Sequence, residues 1–269
     1  MSSEPAAASP RSVRFGVPVQ WSRGAIGVVV FLVLAELAGL AIPSSVLPRM
    51  STVLGQAAQL VTNGQFIADV GATLESWVLG LAITVVIAVP LGLLLGSVPG
   101  VRFFTRAIVE FLRPIPSVAL ILLVSLVLGS GMRMTLTLIV YGCMWPILYN
   151  TIAGLDDVDP VAKETLRAFG FGRLSIAWRV SLPSALPFIA TGLRIASAVA
   201  LILSIGAGYI IGGLNGPGIG TFIANASTGT SDTPQILAAT LWAGILGLVL
   251  NAVLTWAERR LLPWHKASL

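Results

Sequence analysis

Apolar runs long enough to cross a lipid bilayer recur along this chain, and they constrain its fold more than any other feature. Residues 25–42, 69–95, 134–155, 187–211 and 234–256 are each dominated by Leu, Val, Ile, Ala and Gly. About 20 apolar residues in a helix span the hydrocarbon layer. A shorter run, 117–128, follows the break at Arg113-Pro114-Ile115-Pro116 and brings the expected spans to six. Composition agrees: 10% of residues are charged, against roughly 25% in soluble domains. The expected fold class is an all-α membrane protein with a single six-helix domain over residues 24–262. Residues 1–23 are expected to form a mobile tail, and 263–269 a second tail.

The net charge of +5 raises the question of nucleic acid, and the placement of the charges answers it. Fourteen of the 16 basic residues fall on one side of the expected topology: Arg11, Arg14, Arg23, Arg102, Arg106, Arg113, Lys163, Arg167, Arg173, Arg179, Arg194, Arg259, Arg260 and Lys266. Only Arg49 and Arg133 fall on the other. This is the positive-inside asymmetry of a membrane protein, with both termini cytoplasmic, and it argues against nucleic acid. Cys143 is the only cysteine, so no intramolecular disulfide forms. His265 is the only histidine, which excludes a multi-His metal site; beside Trp264 it reads as an interfacial side chain. The glycine-rich segment 215–220 lacks a following Lys-Ser or Lys-Thr, and no Gly-Lys pair occurs in the chain, so there is no phosphate-binding loop. No catalytic, cofactor or metal group is expected.

Between the fourth and fifth expected spans lies the longest stretch that is not mainly apolar, residues 156–186. Asp159 before Pro160 is a helix-start signal, and Asp156 and Asp157 suit the positive helix end. The helix should run over 161–169 and close at Gly170 in the left-handed conformation. A second short helix, 173–181, should be halted by Pro183. The result is a compact elbow in water.

Glu164, Gly170 six residues on, and Val180-Ser181-Leu182-Pro183 reproduce the spacing of the "EAA" loop of ABC importer permeases, which this chain resembles. Thr165 and Leu166 stand in place of the two alanines, and Val180 in place of isoleucine. The resemblance implies a type I importer permease fold, with the elbow docking onto an ATP-hydrolysing subunit through Asp159, Glu164, Thr165, Leu166, Ala168, Gly170 and Pro183. It extends over about residues 70–257. Thr73-Leu74, Pro90-Leu91-Gly92, Gly192-Leu193-Arg194 and Gly218-Ile219-Gly220 also fit the family, while the glutamate it often carries near Gly208 is missing. Arg113-Pro114-Ile115-Pro116 and the segment Trp145 to Thr151 look like the sulfonate, taurine and nitrate branch. The implied partners are two ATPase subunits that bind the ATP, an extracytoplasmic solute-binding protein, and a second permease copy, with a homodimer favoured. The implied location is the bacterial inner membrane.

Other residues bear on topology or transport. The first run, 25–42, reads as an uncleaved helix rather than a signal peptide because its positive flank is long. Glu36 within it faces a neighbouring helix or the interface, and Glu75 enters near the outer end of the second span. An interfacial helix is expected at 50–62 and a basic amphipathic one at 101–111, where Arg106 and Glu110 are spaced to pair. Arg194 snorkels to the interface, pairs with the elbow, or meets an anionic substrate on the translocation path. The glycines at 206, 208, 212 and 213 mark tight packing or a broken helix, and 214–233 reads as the longest external loop. The function expected is ATP-driven import of a small organic anion such as a sulfonate or taurine, or of nitrate. A vitamin precursor such as a pyrimidine, an ion-coupled carrier using Glu36 and Glu75, and a non-transporting scaffold are the alternatives.

Overall fold

The structure, a computed structural model, describes residues 18–41, 48–228 and 232–262. Arg11, Arg14, Trp264, His265 and Lys266 lie outside these residues, as do the expected tails apart from 18–23. Those six residues are helical rather than part of a tail. They begin α1 (Pro18–Ala41). The chain divides into two compact units, Met1–Leu54 and Gly55–Leu269.

In the first unit, the Glu36 carboxylate of α1 accepts the Ser51 N–H at 2.8 Å and its hydroxyl at 3.0 Å. Ser51 lies in the first turn of α2 (Met50–Leu60), so Glu36 satisfies a free N–H of that helix end. This is the neighbouring-helix alternative for Glu36.

The second unit is built around three helices: α3 (Gly64–Ser97), α6 (Met132–Asp156) and α9 (Leu182–Ile211). α3 and α6 run parallel, and glycines let them approach. A Cβ at Gly80, Gly92 or Gly96 would press into Ile139, Thr151 or Leu155 respectively. α9 runs antiparallel to α6: Gly192 faces Pro146 and Asn150, and Gly154 faces Ala185 and Phe188. In lipid such contacts supply the dispersion that hydrophobic burial cannot. The core where they meet holds Trp77, Ile139, Cys143, Ile147, Ala196 and Leu203. The Trp77 indole donates to Ser197 O at 3.0 Å, so its polar atom is satisfied in the core.

Among the described residues, four helical segments are long and apolar enough to cross a membrane: Gly64–Ser97, Met132–Asp156, Ala177–Leu214 and Thr233–Leu261. The last corresponds to α11. The segment expected as a third span is different. α4 (Pro99–Leu112) leads through the Arg-Pro-Ile-Pro break into a 3-10 turn and the nine-residue α5 (Leu120–Leu128). The two parts are bent by 64° and together amount to at most one broken span. The prolines explain the bend: they leave carbonyls unpaired and hold the preceding residues out of the helix. α6 fixes it from the side, with Tyr141 Oη donating to Leu112 O at 2.7 Å and the Arg113 guanidinium 4.5 Å over the Tyr149 ring. The two branch-like motifs thus meet in space. The apolar helical stretch Ile26–Ala41 of the first unit is shorter than these spans.

Two expectations fail in the later part of the chain. Pro183 does not halt the helix before it. α8 (Arg173–Ile176) passes through a π turn, Ala177–Ser181, directly into α9. The extra residue of the wide turn shifts the bonding register where the Pro183 ring would otherwise strike a carbonyl, and Leu182 N bonds to Ala177 O instead. The following Pro187 lies inside α9. Nor is 214–233 simply a loop, because Ile219–Thr228 forms the helix α10.

Candidate functional site

The elbow between α6 and α9 is built from local signals. α6 ends at Asp156, whose carboxylate takes both guanidinium nitrogens of Arg102 at 3.0 and 3.1 Å. Both side chains are about half exposed, so the pair orients α4 against α6 more than it stabilises the fold. Val158 is buried and anchors the corner. The Asp159 side chain accepts the Val161 N–H at 2.8 Å and starts α7 (Pro160–Ala168).

α7 closes at Gly170, with φ +79°. Gly170 N bonds to Arg167 O at 2.9 Å and Phe171 N to Leu166 O at 3.0 Å, the paired bonds of a Schellman motif. Thr165 turns its hydroxyl back to Val161 O at 2.8 Å, so its extra bulk is held along the helix. Arg179 stacks 5.0 Å over the Phe171 ring and links the corner to the π turn.

No residue of α7 is buried. Glu164, Thr165, Ala168 and Gly170 are all exposed, and Leu166 is half-buried. Sequence reasoning missed the apolar surface beside them: Val161, Phe169 and Trp178 are 65%, 76% and 63% exposed. The signal was present, because an amphipathic segment this polar has no reason to carry three large apolar side chains unless something covers them. The structure therefore gathers six of the seven expected elbow residues on or beside α7. Pro183 sits apart, in the first turn of α9.

The opposite end of the bundle is closed by residues far apart in sequence. Buried Asp69 accepts the Gly218 N–H at 2.8 Å, and buried Thr73 accepts the Ile219 N–H at 3.0 Å. Together they cap α10 from α3. The Ser76 and Ser204 hydroxyls meet at 2.6 Å beneath. Phe66 and Phe222 pack edge to face at 5.1 Å. A Cβ on Gly220 would overlap Ile205 O, and one on Gly208 would come within 2.9 Å of Thr221 N. A cavity of about 100 Å³ remains, lined by Thr73, Glu75, Ser76, Thr135, Ser204 and Thr221. The family-like Gly218-Ile219-Gly220 thus serves a seam, and Glu75 lines the cavity beside it. Arg194 lies elsewhere: it pairs with Glu258 of α11 at 3.5 Å, within the bundle rather than with the elbow.

Comparison with known proteins identifies the family. Residues 88–266 match the family described as the binding-protein-dependent transport system inner membrane component. The taurine transport system permease protein TauC of Escherichia coli is 31% identical over 83% of this chain and 79% of its own length. The glycine betaine/carnitine/choline permease protein OpuCD of Bacillus subtilis is 29% identical over 70% of this chain and 81% of its own. A chain of the inward-facing MetNI methionine ABC transporter superposes with a TM-score of 0.59, covering 73% of this chain and 94% of that one at 22% identity. A chain of a bacterial alginate ABC transporter reaches 0.62, covering 90% and 94% at 17% identity. The fold is that of type I ABC importer permeases, and the chain belongs to the family of binding-protein-dependent transport system inner membrane components, as a multi-pass permease and not a catalytic subunit.

Proposed function

We propose that this chain forms half of the translocation path of an ATP-driven importer, and that two ATPase subunits drive it through the elbow at 156–186. The reading rests on one observation. The family-like spacing from Glu164 to Pro183 folds into a capped helix and a glycine corner whose apolar side chains are left exposed. Six spans complete the path: α1, α3, the broken pair α4 and α5, α6, the segment through α9, and α11. The basic ends and both termini face the cytoplasm. Two copies of the chain line the path between them. ATP closes the two motors on each other; the docked elbows follow as rigid bodies and rock the bundles from inward-facing to outward-facing. An extracytoplasmic binding protein delivers solute at the α10 end.

The solute we favour is a small organic molecule with an anionic group, taurine or another sulfonate first. The similarity to a taurine permease supports this, and the betaine- and carnitine-transport relatives also act on small charged solutes. Gly170→Leu and Glu164→Lys should leave the protein in the membrane but remove ATPase association and uptake into vesicles. Normal co-purification and uptake by both variants would refute the docking role. Vesicle uptake assays with taurine, nitrate, glycine betaine and a pyrimidine separate the substrate classes.

A further inference from the structure

Behind the elbow, on the side facing the bundle, lies a cavity of about 440 Å³. It is bounded by Gly96 and Ser97 at the end of α3, Leu155 of α6, Lys163 and Arg167 of α7, and Ser181 of the π turn. That volume falls within the range of small-ligand sites.

Its charge is of one sign. Lys163 and Arg167 are the charged residues lining it, and they lie one turn apart on α7, a spacing at which like charges repel. Lys163 Nζ gives one proton to Leu155 O at 3.1 Å and keeps two to donate. Among the described residues neither cation has a carboxylate within ion-pair distance. Asp156, which is close in sequence, is taken by Arg102. Ser181 adds a separate observation. It is only 6% exposed, yet its hydroxyl bonds to nothing among the described residues, and it lines the cavity. The wall carrying it is a π turn, a geometry often found at functional sites.

We infer that this cavity binds a small oxyanion of the sulfate, sulfonate or phosphate type, held by Lys163 and Arg167 with a hydrogen bond from Ser181. The anion relieves the repulsion between the two cations and ties α7 to α3 and the π turn. It comes either from a free solute or from a lipid phosphate. The inference needs only the cavity and does not depend on ATPase docking.

Thermal unfolding of the full chain in phosphatidylcholine nanodiscs, with sodium sulfate against sodium chloride at matched ionic strength, tests it. Sulfate should raise the midpoint of the wild type by about 3 °C at tenfold half-saturation. Lys163→Gln/Arg167→Gln should lose this rise, and Arg259→Gln/Arg260→Gln should keep it, which removes general salt effects. Ser181→Ala should fold normally and shift half-saturation several-fold upward. If discs containing phosphatidylglycerol give the same rise and leave none for sulfate, the lipid phosphate is the occupant of this site. An equal sulfate rise in the wild type and the Lys163/Arg167 variant would overturn the inference. So would no rise in either lipid, which is the result expected if a partner's acidic side chain fills the cavity instead.

Discussion

The two ends of this bundle are finished in opposite ways. At the α10 end, buried side chains from α3 cap the helix, glycines let backbones touch, and hydroxyls meet inside. At the elbow, the cap and the corner that start and close α7 come from its own few residues, and none of its residues is buried. One end is closed by the chain itself. The other leaves large apolar groups exposed, as the proposed docking role requires. A seam that carries stability and an elbow proposed to carry coupling should respond differently to mutation.

The largest loss should come at the seam. Gly220→Leu places a side chain where Ile205 O already lies, and overpacking of a close contact costs about 3 kcal/mol or more. Thermal unfolding in detergent should show a large drop or no folded protein. Asp69→Ala removes one cap of α10 and should cost about 1–2 kcal/mol, whereas Asp69→Asn, which keeps an acceptor, should recover most of it. The smallest effect on stability should come at the elbow. Val161→Ser and Phe169→Ser remove exposed groups and should change stability by less than about 0.5 kcal/mol, while reducing ATPase co-purification. A large stability loss from these two, or a negligible one from Gly220→Leu, would erase the contrast.

How much of this was legible depended on sequence separation. The Asp159 cap and the Gly170 corner could be read directly because both are short-range geometry. The pairing of Arg106 with Glu110, one turn apart and 2.7 Å in the structure, was legible for the same reason. The caps on α10 were not, because Asp69 and Gly218 are 149 residues apart. The helix in 214–233 was hidden behind its glycines, which suit a turn as well as a seam. Pro183 misled because the proline rule assumes regular α-helical bonding, and a π turn precedes it. The broken third segment was only half visible. Its prolines announced the bend, but α5 proved too short to cross on its own.

The most direct measurement of the docking claim is site-specific crosslinking in the assembled transporter. Cysteines introduced one at a time as Val161→Cys, Phe169→Cys and, at the far end, Thr228→Cys would be treated with a short bifunctional thiol reagent alongside the cognate ATPase. The account predicts that Val161→Cys and Phe169→Cys join to the ATPase and Thr228→Cys does not. Crosslinks from Thr228→Cys with none from the elbow would contradict it.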